Sequence, residues 1–149
     1  MKNLGQMEVQ QEIRRRLESL RLGSPRRWGK MTPHQTICHL KDAFLNVMGE
    51  RPASEYTSRT LLKWGALWVP IPWPHGFPTR PEMDQEIGGT KPMSFQNDLK
   101  ELLGLFDRFI SQSPRPTFAA HPIFGKMSYR EFMRWGYLHT DHHLRQFGA

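Results

Sequence analysis

The stretch SYREFMRWGYLHTDHHLRQF, residues 128–147, decides how the chain is read. Ser128 followed three residues later by Glu131 is a capping box, so a helix is expected to start there and run to about Gln146. At 100° per residue, His139 and His143 fall about 40° apart on that helix. Phe132, Trp135, Gly136 and Phe147 share their side, whereas Arg130, Arg134, Asp141 and Arg145 fall on the opposite one. The i, i+4 histidine pair therefore points inward with the aromatic residues.

Three further helices are predicted upstream. Val9, Ile13, Leu17 and Leu20 form one apolar stripe, which predicts a helix over about 7–22 ended by Gly23, Ser24 and Pro25. Thr32, Pro33 and Gln35 open a second helix, again with a capping box and proline at its first position, reaching about Met48 before Gly49 and Pro52. A third starts near Ser94, with Phe95, Leu99, Leu102, Phe106 and Phe109 on its apolar face, and ends in Ser111–Pro116. Residues 117–127 read as a loop with room for an extended piece. Between the second and third helices, residues 50–93 hold seven prolines together with Trp64, Trp68 and Trp73; Tyr56–Leu67 could form a short helix there. No alternating strand pattern of useful length occurs. The expectation is a single all-α domain over 1–149, an antiparallel four-helix bundle with one long Pro/Trp-rich connection. That connection reads either as a cover over a site or as a plug for the core.

Composition narrows the function. The 149 residues carry a net charge of +7, and a single cysteine excludes an internal disulfide or a multi-cysteine zinc module. Most of the charge excess lies in residues 1–30, on the first helix and its exit loop. This region has no aromatic stacking platform or groove-reading motif, so a solvated face is expected rather than a nucleic-acid partner. The longest uncharged stretch, Trp64–Thr79, is short and broken by prolines, and no secretory signal is visible. A cytoplasmic protein with no membrane segment is expected. No nucleophile-elbow, phosphate-loop or dinucleotide glycine pattern is present.

Two imidazoles facing a core each need a partner, and a divalent ion satisfies both at once. A third ligand would have to come from elsewhere in the fold. His34, His39, His75 and His121 are the candidates, with His142 a competitor to the pair itself. His39 lies deeper in the second helix than His34, but the helical wheel leaves the choice open. Cys38 points about 100° away from His39 and reads as a small buried residue. Asp42 reads as a solvated surface group, with Asp42 and Asn46 as alternative orienting groups.

The block MTPHQTICHL (31–40), taken with HTDHHLRQFG (139–148), resembles the DinB-like (YfiT-like) superfamily of four-helix-bundle metal proteins. Residues 121–148 are similar to a branch of it with unknown function, and the resemblance spans Trp28 to Phe147. It implies a divalent ion, nickel or zinc, held by one histidine of the second helix and the HxxxH pair of the last. Carried over, those ligands fall on His39, His139 and His143, with Gln146 three residues after the last. It further implies a metal-dependent enzyme acting on a small molecule, as a transferase or isomerase using a low-molecular-weight thiol or as a hydrolase. The alternative is a non-catalytic metal- or ligand-binding bundle. A homodimer is compatible with such bundles.

Overall fold

The computed structural model describes residues 1–112 and 118–149. The part of the third helix's expected exit at 113–116, and residue 117 of the following loop, lie outside the described residues. Among the described residues five α-helices form: α1 (Met7–Ser19), α2 (Pro33–Val47), α3 (Thr60–Trp68), α4 (Phe95–Ile110) and α5 (Tyr129–Arg145). A single 3-10 turn, Pro81–Met83, interrupts the long connection. Among the described residues there is no strand, only an isolated bridge between His121 and Gly125. The all-helical expectation therefore holds, with five helices in place of four because the connection folds its own.

Both capping boxes are formed. Thr32 Oγ1 accepts the Gln35 amide (3.1 Å) and Ser128 Oγ accepts the Glu131 amide (3.3 Å), while each glutamine or glutamate side chain reaches back to the cap's own N–H. Such caps contribute about 1 kcal/mol each. The first helix is shorter than its apolar stripe suggests. Leu20 turns extended and stays buried, and the Arg21 amide donates instead to Ser24 Oγ (3.0 Å). A serine in reach offers the backbone a local alternative to the next helical turn. The short helix of the connection begins later than expected, at Thr60. The amides of Thr57 and Arg59 donate to the carbonyls of Pro122 (2.8 Å) and Ile123 (3.2 Å), which holds 57–59 out of the helix and against the 121–125 turn.

The core lies where α2 packs along α4 while α1 packs on α4 and α5. Phe109 is central: its ring meets Phe44 (5.0 Å) and Trp135 (6.1 Å). Truncating such a phenylalanine costs roughly 3–5 kcal/mol. Gly136 lets α5 approach this cluster, because a Cβ there would lie 2.8 Å from Phe109 and 2.9 Å from Leu4. The arginines of α1 join helices: Arg14 pairs with Asp107 on α4, and Arg16 pairs with Asp141 on α5 at 2.7 Å. Two of the basic residues of α1 are thus engaged in interhelix ion pairs. No helix among the described residues is long and apolar enough to cross a membrane.

Candidate metal centre

Three histidines meet between α2 and α5. His39 Nε2 lies 3.1 Å from His139 Nε2, and the ring centroids of His39 and His143 are 4.6 Å apart. One nitrogen of each of the three lies within 4.8 Å of the others. The structure thus brings the inward pair of the last helix to His39 of α2.

The outer nitrogens decide which atoms face the centre. His39 Nδ1–H donates to the Met83 carbonyl (2.9 Å), and His143 Nδ1–H donates to Gln146 Oε1 (2.6 Å). Neither acceptor has a proton to give back, so both rings hold their Nδ1 proton and present an Nε2 lone pair inward. Such outer hydrogen bonds fix imidazole tautomer and orientation in metal sites. Burial, opposed by the Met83 carbonyl, pushes the His39 pKa below its ordinary value. Burial, and then the neighbouring imidazoles, hold His139 and His143 well below it. All three rings are therefore neutral near pH 7, the form that binds metal.

A divalent ion fits this donor set. Two imidazole nitrogens on one tetrahedral zinc, each about 2.0–2.1 Å away, lie roughly 3.3 Å apart. The His39–His139 separation of 3.1 Å is close to that value. In the absence of an ion, His139 Nε2–H donating to His39 Nε2 is the arrangement that leaves neither nitrogen in conflict.

The surrounding contacts come from two distant segments. The 82–90 loop is tied to α2 through Asp42, which is fully buried and not the solvated group expected from the helical wheel. Its carboxylate accepts from Thr90 N (2.8 Å), Thr90 Oγ1 (2.6 Å) and Gln85 Nε2 (3.0 Å), and pairs with Arg51 at 2.9 Å. Arg51 donates in turn to the Gly88 carbonyl (2.7 Å). This clamp sets the loop that delivers the Met83 carbonyl to His39. At the other end, Arg27 N–H donates to the Gln146 carbonyl (2.7 Å), which lays residues 27–29 over the end of α5. Gly29 has φ near 80°, and a Cβ on it would collide with the Gln146 carboxamide.

The remaining candidates fall outside the three-histidine group, although the His142 ring lies 5.2 Å from that of His143. His34 binds Asp98 (2.7 Å). His75 stacks on Trp28 at 3.9 Å, and His142 meets the same indole edge-on at 4.6 Å. His121 Nδ1 accepts the Ile123 and Phe124 amides (3.2 Å each), and burial lowers its pKa to about 3. Its ring packs on Trp135 (5.3 Å), which itself stacks on His139 (5.2 Å). Cys38 is buried near His34 and Asp98, and burial followed by the Asp98 charge raises its thiol to about 11. Of the three tryptophans in the connection, Trp73 borders the centre, Trp68 packs on the core and Trp64 is exposed. Sequence reasoning had no access to Met83, since a main-chain carbonyl leaves no signature, and it misplaced Asp42 because the loop that buries it is remote in sequence.

The histidines line a cavity of about 750 Å³ that opens to solvent. Fold and site together define a helical protein with a buried three-histidine group, able to hold a metal ion, beside an open cavity. A family model matches residues 74–149, and the chain belongs to that family, described as "Protein of unknown function (DUF1569)". No curated protein and no solved structure matches the chain.

Proposed function

We propose that the protein is a divalent-metal-dependent enzyme of the DinB-like type. In this reading His39, His139 and His143 are the ligands, nickel or zinc is the metal, and a small molecule is the substrate. The helices α1, α2, α4 and α5 are its antiparallel four-helix bundle, and α3 belongs to the long connection.

One observation carries the reading. Three neutral imidazoles converge, and the outer nitrogens of two of them donate to fixed oxygens, so their lone pairs aim at a common point. Three protein ligands leave coordination positions open, which distinguishes a catalytic site from a structural one. The cavity supplies access to those positions. When bound, a divalent ion supplies Lewis acidity, which acidifies a water or a thiol beside it. The chain's own part is to orient the imidazoles through Met83 and Gln146, to keep them unprotonated by burial, and to shield one side of the centre with Trp135 and Trp73. No protein nucleophile is required, and Cys38 is unsuited to be one, buried behind α2 with a raised pKa. A transferase reaction with a low-molecular-weight thiol and a hydrolysis both fit this arrangement.

The test is metal analysis of protein purified without an affinity tag. Close to one nickel or zinc per chain is expected, with the metal lost in His39→Ala and His139→Ala. Unchanged metal content in both variants refutes the site. Turnover with a panel of thiol acceptors and esters then separates the enzyme from a bundle that only binds.

A further inference from the structure

The cavity beside the histidines is unusual in what forms its mouth. Leu61, Ile71 and Phe77 line it and are also 89%, 69% and 53% exposed. Large apolar side chains left in water around an opening mark a place where something apolar is received. The wall continues inward in the same character, through Val69, Ala66, Val47 and Ala43 to Trp73 and Trp135. Apart from the histidines, the ionisable groups on the lining are Lys30, Arg80 and Asp84. Arg80 is paired with Glu55 at 3.1 Å, and Asp84 Oδ1 accepts the Glu86 amide at 2.9 Å. Lys30 is exposed at the surface, so the polar end of the buried part of this space is the histidine cluster with Asn46 and Gln146 beside it, and an apolar track leads from it to the surface.

We propose that the centre receives an amphiphile. Its polar, lone-pair-donating end reaches the histidine cluster, and its unbranched apolar tail leaves over Leu61, Ile71 and Phe77. This rests on the metal reading only for how the head is held; the tail's path depends on the cavity alone. A substrate polar along its whole length would leave this track without a partner and would find few groups on the wall to hydrogen-bond.

A homologous ligand series tests it. Straight-chain hydroxamic acids of two to eight carbons are titrated calorimetrically into the full chain, once loaded with zinc and once stripped by a chelator. Affinity is expected to rise about three- to four-fold per added methylene in both forms. Zinc is expected to tighten every member by the same factor. Leu61→Ser/Ile71→Ser, at two exposed positions, should weaken the longer members and leave acetohydroxamic acid unchanged. A series flat with chain length in both forms overturns the proposal, as does a slope that the double variant leaves intact at every length. If the slope is present but zinc makes no difference, the tail's path stands and the metal assignment falls.

Discussion

Two clusters of ligand-type side chains join α2 to a neighbouring helix, and they differ in what their hydrogen bonds leave over. His39, His139 and His143 form one; His34, Cys38 and Asp98 form the other, equally close-knit. In the second cluster Asp98 is already saturated. It accepts from Lys41 Nζ (2.6 Å), His34 (2.7 Å) and the amides of Met93 and Ser94 (3.2 Å each). A lysine ammonium already occupies the place where a divalent ion would have to act. Burial works to raise the Asp98 carboxyl, but the hydrogen bonds from Lys41 and His34 outweigh it and hold it far below the usual range. This cluster pins the start of α4 to α2. In the first cluster the bonds to the rest of the protein lie on the outer nitrogens of His39 and His143, and the one inner bond, between His39 Nε2 and His139 Nε2, joins the histidines to each other. Proximity of donor atoms is common to both, and only the direction of the remaining lone pairs separates a metal site from a structural tie.

Metal affinity is the measurement that sharpens this contrast. The largest effect is expected from His139→Ala, which should abolish stoichiometric metal binding by elemental analysis, since two ligands hold an ion weakly. Next, Gln146→Leu removes the acceptor that orients His143 and should weaken the metal roughly 10- to 100-fold in a competition titration with a chelating dye. Asp42→Asn should act more mildly, about a few-fold, because it loosens the 82–90 loop while Met83 keeps its place in the chain. Its stability cost, read by urea unfolding, should be roughly 3 kcal/mol, since Arg51 loses a buried partner.

Asp98→Asn should leave metal affinity unchanged and destabilise the fold by about 3 kcal/mol, the cost of breaking a buried ion pair. The two clusters should also separate by pH in the metal-free protein. The buried histidines have depressed pKa values, so the unfolded chain takes up protons first and stability falls as pH drops below about 6.5. Asp98 is likewise depressed, but its unfolded reference is near 3.9, so its contribution is present above that value and lost only as pH falls below about 4. Urea midpoints across pH 3–8 for the wild type and Asp98→Asn resolve the two windows: the gap between them should narrow below pH 4, and a gap that stays constant down to pH 3 would contradict the assignment.

Where signals are local, sequence and structure agree closely. The Thr32–Gln35 and Ser128–Glu131 boxes place two helix starts to the residue, because the bonds they make span only three positions. The 40° offset of His139 and His143 needs nothing beyond helical geometry. Agreement fails where a remote segment intervenes. The non-helical run before α3 depends on carbonyls of Pro122 and Ile123, more than 60 residues away. Asp42 lies among polar neighbours on the wheel, yet Thr90 and Arg51 enclose it.

The sequence alone was enough to establish a helical chain with an inward pair of imidazoles, since caps, stripes and i, i+4 spacing are all properties of a few consecutive residues. It could rank His39 above His34 but not bring it to the pair. That required α2 and α5 to pack so that nitrogens 100 residues apart come within 3.1 Å. The tautomers, too, were set by the folded chain, because the Met83 carbonyl reaches His39 only through a loop clamped from afar by Asp42 and Arg51. Side-chain identity supplies the chemistry, and the packing of distant segments determines where each lone pair points.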